Sequence, residues 1–260
     1  MGSIVERAKR IDRLRTLTQV GAMAILLMPF MGVRSICGPA FHCHSCPWSA
    51  FACPLGVLVN FSTLRMIPYV TLGILGAIGT FTGRLVCGWI CPFGLLQDTL
   101  HRVPTRKFSL PPKLRYVKYA LLVGLVFAVP FFLPGKPYTF CDFCPAATLE
   151  STIPWAFMGV TKGFGARFIM RISILVAVLA FATVVSRGFC RTLCPLGATY
   201  SLFNKFSLFR MRLTREECPD CGVCKQDCPV EIHPVKQMNT AECTRCLDCT
   251  STEHLKLGVK

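Results

Sequence analysis

The chain has 260 residues, of which 52% are hydrophobic and only 16% are charged. Soluble domains carry about 25% charged residues, so this composition argues against an ordinary soluble protein and favours a lipid bilayer. The formal net charge of +16 could indicate nucleic-acid binding, but basic loops beside apolar segments are more commonly explained by membrane topology. Nucleic acid is therefore not the expected partner.

Four apolar segments are predicted to be transmembrane helices, at about 17–33, 66–83, 117–132 and 168–186. Each is close to the length that crosses a hydrocarbon core of about 30 Å at 1.5 Å per residue. The first follows a basic arm at 6–15 and has no small-x-small cleavage site before Arg34, so we interpret it as a membrane helix rather than a signal peptide.

Lysine and arginine are concentrated in the N-terminal arm and in the connections 84–118 and 187–215. Because translocation of positive charge is disfavoured, these segments are predicted to face the cytoplasm. The sequence therefore predicts a multi-pass protein of the inner (cytoplasmic) membrane with both termini cytoplasmic.

Two cysteine motifs each occur twice, about a hundred residues apart. Cys87-x3-Cys91-Pro recurs as Cys190-x3-Cys194-Pro, and the loop motif C-x2-C-P at 43–47 recurs at 141–145. The predicted fold is an all-α membrane protein with four transmembrane helices in two parallel repeats, 1–112 and 113–212. A small C-terminal α+β ferredoxin-like domain is predicted at 213–260.

The repeated motifs supply two sets of four cysteines, one on each side of the membrane. Four thiolates are the number that a [4Fe–4S] cluster requires. The inner set is Cys87, Cys91, Cys190 and Cys194, and the outer set is Cys43, Cys46, Cys141 and Cys144. Cys53 is an alternative outer ligand, since Cys53-Pro-Leu-Gly resembles the inner motifs. A pair of outer disulfides, or one between Cys37 and Cys53, remains the other interpretation.

Between the inner motifs, Asp98 and His101 lie on a short amphipathic segment expected at the membrane interface. They are candidates for a quinone and proton site, because oxidation of a quinol also releases protons. A solvated face is the alternative interpretation.

The tail spacing C-x2-C-x2-C-x3-C-P at 218–229 is typical of bacterial ferredoxins. By crossed ligation, one complete [4Fe–4S] set is predicted, consisting of Cys228, Cys243, Cys246 and Cys249. The other set, Cys218, Cys221 and Cys224, lacks a fourth thiolate because Glu253 occupies its position. This set predicts an atypical cluster, either [3Fe–4S] or a [4Fe–4S] completed by Glu253, His254 or a partner's ligand. A zinc ribbon is the alternative.

The motifs CGWICPFG and CRTLCPLG, the four predicted helices and the ferredoxin tail together resemble the NapH-type membrane quinol dehydrogenase component, a polyferredoxin-like family related to NosR and NirI. The resemblance implies an electron-transfer subunit of an anaerobic respiratory complex rather than a stand-alone enzyme. Its implied partners are lipid, other redox subunits and a quinone. The cysteine missing at Glu253 and the additional Cys53 suggest a relative in another complex. A copper reductase and a non-redox metal sensor remain alternatives.

Overall fold

The computed structural model describes residues 2–28, 36–134, 138–160, 165–214, 222–252 and 254–259, and these are mostly helical. The helices of the membrane part are α1 (Gly2–Leu26), α2 (Pro54–Thr63), α3 (Tyr69–Thr82), α4 (Leu85–Trp89), α5 (Pro92–His101), α6 (Pro112–Phe132), α7 (Phe140–Phe143), α8 (145–157), α9 (Ala166–Val184), α10 (Gly188–Thr192) and α11 (Pro195–Phe203).

Within these ranges, two helices are long and apolar enough to cross a membrane. They are α6, of 21 residues with mean hydropathy 1.6, and α9, of 19 residues with mean hydropathy 2.0. Helix α3 is apolar but has only 14 residues. The first predicted span begins within α1 and continues into residues 29–35, which lie outside the described ranges. The prediction of four spans is therefore matched by two helices in the part of the chain that the structure describes.

Prolines shape two of these helices. In α6 the segment Leu122–Ala128 forms wide π turns just before Pro130, and in α8 the segment Thr148–Thr152 does so before Pro154. A proline ring excludes the usual bond to the carbonyl four residues earlier, and a π bulge accommodates that irregularity without ending the helix. Both helices therefore remain continuous.

Four helices begin in the same way, with a cysteine at the N-cap and a proline as the first helical residue. The N-cap residues of α2, α5, α8 and α11 are Cys53, Cys91, Cys144 and Cys194. Their φ angles lie between −69° and −78° and their ψ angles between 112° and 125°. Proline is favoured at this position because its fixed φ suits a helix and its missing N–H would have no partner there.

The tail is a small α+β unit. Strands β1 (Phe209–Leu213) and β2 (Leu255–Val259) pair antiparallel, with Phe209 opposite Val259. Between them lie α12 (Val223–Gln226), α13 (Pro234–Gln237) and a 3₁₀ turn at Asp248–Thr252. Met211, Cys224 and Leu255 form the small core of this unit. The predicted α+β character of the tail agrees with this arrangement, and the predicted boundary at 213 lies at the end of β1.

Candidate metal centres

The inner set of four cysteines, here called the inner cage, consists of Cys87, Cys91, Cys190 and Cys194. The structure brings all four to one cavity, although the two motifs lie about a hundred residues apart. All four are buried, and apolar side chains including Phe41, Val86 and Leu196 complete the lining. The repeat thus places two half-sets side by side.

Local backbone geometry holds the sulfur atoms of the inner cage. At the start of α11, the Gly197 N–H donates to Cys194 Sγ at 3.4 Å. A side chain at Gly94 would lie 3.1 Å from the Cys87 carbonyl oxygen, and one at Gly197 would lie 3.1 Å from that of Cys190. The glycine in each C-P-x-G motif therefore lets the backbone of the first cysteine pack against the helix that starts at the second.

Polar groups also reach the inner cage. Gln97 donates from Nε2 to Cys190 Sγ at 3.0 Å and accepts the Phe189 N–H at 3.1 Å. Arg84 donates from Nη2 to the Cys190 carbonyl at 3.2 Å. Burial raises the pKa of the Cys190 thiol to about 11, although Arg187 opposes this shift. A bare thiol there stays protonated at neutral pH, whereas binding to a metal would favour the thiolate.

A second cavity lies at the outer cysteine loops and is lined by Cys43, Cys53, Cys141 and Cys144, here called the outer cage. Burial raises the pKa of the Cys43 and Cys53 thiols to about 12. His42, His44 and Arg171 also line this cavity. The predicted outer residue Cys46 instead lines a neighbouring apolar cavity.

The difference between Cys53 and Cys46 has a local structural cause. Cys53-Pro54 starts a helix in the same way as Cys144-Pro145, whereas Cys46-Pro47 lies in a turn. The alternative that the sequence offered, Cys53, is thus the one at the cavity. Cys37 is buried and forms a bridge with Ala52 through the backbone. None of the fifteen cysteines in the described ranges forms a disulfide.

The third group, here called the tail cage, consists of Cys228, Cys243, Cys246 and Cys249, which line one cavity with Met211, Val230 and Ile232. This is the set predicted from crossed ligation. Of the other predicted tail residues, Cys218, Cys221 and Glu253 lie outside the described ranges. Cys224 is buried in the tail core.

Among the residues that the structure describes, no group of three histidine, cysteine or acidic side chains could hold a single metal ion. In each of the three cages, the four cysteines instead line a cavity. A [4Fe–4S] cluster is bound by four thiolates that surround an extended body rather than one ion. The number of cysteines in each cage and their low exposure therefore fit such a cluster.

The tail cage is held against the inner cage. Trp89 donates from Nε1 to the Arg245 carbonyl at 3.2 Å, and Gly88 lies so close to the loop 244–246 that a Cβ there would be 2.7 Å from Thr244 O. Arg84 donates to the Ala241 carbonyl at 2.7 Å. These contacts place the cysteine-bearing loop of the tail directly beside helix α4, which carries Cys87.

Four phenylalanines lie between the inner and outer cages. Phe41 lines both cavities, and its ring centroid is 5.7 Å from those of Phe93 and Phe189 and 6.4 Å from that of Phe140. Phe93 lies in one inner motif and Phe189 directly precedes the other, whereas Phe140 lies in the outer cavity lining. The three cages therefore follow one another in the order tail, inner, outer, with a layer of buried aromatic side chains between the last two.

The two residues predicted to form a quinone and proton site, Asp98 and His101, differ from one another in their surroundings. Asp98 pairs with Arg187 and lies 3.7 Å from Arg15. Burial alone would raise the pKa of Asp98, but the charge and hydrogen bonds of Arg187, together with the charges of Arg15 and Arg102, hold this pKa below its usual value. His101 ends α5 and is half-buried, and its pKa is lowered by burial and by Lys107. Asp98 is thus engaged in a buried ion pair.

An apolar cavity of about 390 Å³ lies next to the outer and inner cages. Its lining includes Trp48, Phe93 and Leu96, together with the carboxylate-bearing Glu150. Glu150 Oε2 accepts the Cys43 N–H at 2.6 Å. Sequence reasoning missed this cavity because its lining comes from segments far apart in the chain.

Two segments of the chain, 64–111 and 168–215, match the family described as "4Fe-4S binding domain". These segments contain the two halves of the inner cage. No solved structure matches the chain.

Three relatives show how far the likeness extends. The methylamine utilization ferredoxin-type protein MauN of Methylorubrum extorquens is 30% identical over 244 residues, covering 85% of this chain and 76% of MauN. An uncharacterized protein of Methanocaldococcus jannaschii is 30% identical over 180 residues, covering 65% of this chain and 68% of that protein. The regulatory protein NosR of Stutzerimonas stutzeri is 31% identical over 180 residues, which are only 23% of NosR.

The predicted relation to NosR and NirI is confirmed by these matches. The 4Fe–4S-binding segment is present twice, as the repeat indicated. The chain therefore belongs to the 4Fe–4S-binding protein family in which MauN, NosR and NirI are also found.

Proposed function

We propose that this protein is an integral membrane iron–sulfur subunit of a respiratory complex that relays electrons through its tail, inner and outer cages. The observation that carries the proposal is the succession of three cavities, each lined by four cysteines. The sulfur atoms come from cysteines that are buried or partly buried, and none of them is exposed. Membership of a 4Fe–4S-binding family supports the same chemistry.

Each cage would hold one [4Fe–4S] cluster, which takes up and releases single electrons. The chain contributes the thiolates, the exclusion of water and the alignment of the three sites. For the outer site we propose Cys43, Cys53, Cys141 and Cys144, with Cys53 in the place first given to Cys46. Cys218, Cys221 and Cys224 remain proposed as the ligands of an atypical fourth cluster.

The proposal places four segments across the inner membrane, namely 17–33, which extends beyond the described range at residue 28, and the segments that contain α3, α6 and α9. Large apolar side chains on these helices are exposed on the protein surface. Val70 of α3 is 70% exposed, Phe132 of α6 74% and Ile169 of α9 60%. Contact with lipid would remove this surface from water. The basic connections support cytoplasmic termini.

The proposal is tested by anaerobic purification of the full chain with iron and sulfide analysis and electron paramagnetic resonance. Replacing Cys87 or Cys190 singly with serine should remove the same cluster signal, because both residues line the inner cage. Replacing Cys246 should remove a different signal. Loss of different signals in C87S and C190S, or purification with zinc and no iron, would contradict the proposal.

A quinone is proposed as an electron carrier that meets this relay at the apolar cavity. The cavity has the size of a small-molecule site, is mostly apolar and contains a single carboxylate, Glu150. This places the quinone away from Asp98, whose carboxylate is already paired with Arg187.

Trp48 provides a direct test of quinone binding, because it lines the cavity. A soluble naphthoquinone should quench its fluorescence saturably, and the Trp48→Phe variant should lose this component. The other tryptophans, Trp89 and Trp155, serve as internal controls because they do not line this cavity. Equal saturable quenching in the wild type and in Trp48→Phe would rule out this site.

A further inference from the structure

Arg187 has an unusual combination of properties. It is only 1% exposed, and it adopts a left-handed backbone conformation with φ 48° at the N-cap of α10. A non-glycine residue in this region is strained, and such strain persists only where the surroundings determine the conformation. The fold therefore imposes both a strained backbone and a buried charge at this position.

The hydrogen bonds of Arg187 are incomplete. Its Nε and Nη2 atoms donate to the two carboxylate oxygens of Asp98. Its buried Nη1 atom has no hydrogen-bond partner in the part of the chain that the structure describes. Leaving a buried charged donor without an acceptor is costly. An acceptor supplied by a bound group would remove that cost.

The surroundings of Arg187 indicate where such an acceptor would be. Its charge acts on Cys87 and Cys190 of the inner cage and on Cys246 of the tail cage. Arg84 and Lys118 are further buried cations that act on the inner cage, and Arg15 also acts on Cys246. Of these four cations, Arg187 is the one whose charge acts on cysteines of both cages.

We propose that Arg187 is a shared electrostatic partner of the inner and tail clusters, whose buried positive charge favours the reduced form of both. This inference rests on the proposed function. When one electron passes from the tail cluster to the inner cluster, the first is oxidised and the second is reduced by one unit of charge. The transfer requires no proton, because the fixed positive charge of Arg187 stabilises the added electron on the tail cluster and on the inner cluster alike.

Asp98 also influences the electrostatic effect of Arg187. Its carboxylate neutralises part of the Arg187 charge, and it is held in turn by Arg15, which binds Asp248 in the tail at 2.6 Å. Removing the charge of Asp98 should therefore act in the opposite direction to removing the charge of Arg187. A merely structural role for the pair would not produce shifts of opposite sign.

Arg191 provides a matched control. It lies one turn further along α10, is 0% exposed and pairs with Glu231 at 3.1 Å. The charges that act most strongly on Arg191 are those of Glu231, Arg115 and Glu242, whereas those acting on Arg187 include Cys246 and Cys190. The two arginines are thus both buried at α10 but differ in the charged groups that influence them most.

The test is a redox titration of the full cluster-loaded protein, followed by electron paramagnetic resonance, with iron content measured in each variant. Arg187→Gln should lower the midpoint potentials of both the inner and the tail signals. A tenfold fall in the ratio of reduced to oxidised cluster at fixed potential corresponds to 59 mV for one electron. Asp98→Asn should raise both potentials. Arg187→Lys, which keeps the positive charge, should have potentials close to those of the wild type. Arg191→Gln should change neither potential.

In Arg187→Gln, Asp98 keeps only its longer contact with Arg15, so loss of the fold is a separate outcome. In that case the Asp98→Asn variant and the double variant Arg187→Gln/Asp98→Asn, which removes both charges of the pair, decide the question. Both potentials should be lower in the double variant than in Asp98→Asn, because loss of the Arg187 charge opposes the shift caused by loss of the Asp98 charge. Unchanged potentials in Asp98→Asn, or equal potentials in Asp98→Asn and in the double variant, would overturn the inference, as would shifts of the same size in Arg191→Gln. Absence of clusters from the wild-type protein would instead refute the proposed function.

Discussion

Replacing Gly88 with alanine tests the contact between α4 and the tail. The added Cβ would lie 2.7 Å from the Thr244 carbonyl oxygen and 3.5 Å from Cys246 Cα, whereas ordinary contact begins at 3.4 Å. The tail loop must therefore move by roughly 0.7 Å, since backbone atoms cannot rotate aside. Overpacking of this kind costs about 1–3 kcal/mol, which weakens tail docking by roughly five- to 150-fold.

The assay measures tail docking through the rate of limited proteolysis and through the magnetic interaction between the inner and tail clusters. We expect faster cleavage in the tail and a weaker interaction in Gly88→Ala, with the iron content retained. Gly76→Ala on α3 is the control, because no atom lies within 4 Å of a Cβ at that position. Unchanged cleavage and interaction in Gly88→Ala would refute the assigned contact between the two cages.

Three further results are expected. Cys53→Ser should remove the outer cluster signal, measured by electron paramagnetic resonance, whereas Cys46→Ser should retain it. The opposite pattern would identify Cys46 as the outer ligand. Arg15→Ala should lower the free energy of tail docking by roughly 1.5–3 kcal/mol, because it removes a largely buried ion pair, and proteolysis should detect this. The exposed Arg102→Ala should cost at most about 1 kcal/mol, and equal effects would contradict this. A cysteine introduced at Lys107 should react with an impermeant maleimide only after permeabilisation, and labelling of intact cells would reverse the topology.

The sequence was most informative where spacing alone determines geometry. The crossed tail set at Cys228 and 243–249 follows from ferredoxin spacing, and the structure brings these residues to one cavity. The sequence also indicates α6 and α9, because each is a helix of 19 or more residues with a largely apolar composition. Both signals are local, so no knowledge of tertiary contacts is needed.

Two other features could not be predicted from local sequence, namely which cysteine starts a helix at the outer cage and which residue pairs with Asp98. Proline follows Cys46, Cys53 and Cys144, but only Cys53 and Cys144 start helices, and Cys144 does so without the glycine of C-P-x-G. The motif alone therefore does not tell which cysteine starts a helix. Asp98 was read as an open group at the interface, yet its partner Arg187 comes from the other repeat. Such a pair becomes visible only when the repeats are placed side by side.

The identical start of α2, α5, α8 and α11 has a consequence for the speed of electron exchange. Each of these helices holds one buried cysteine at its N-cap, next to a proline that fixes the backbone. A group whose donors and dipoles are already oriented needs little rearrangement when its charge changes. We therefore expect a small reorganisation energy at the inner and outer sites, because these ligands are held in place before an electron arrives.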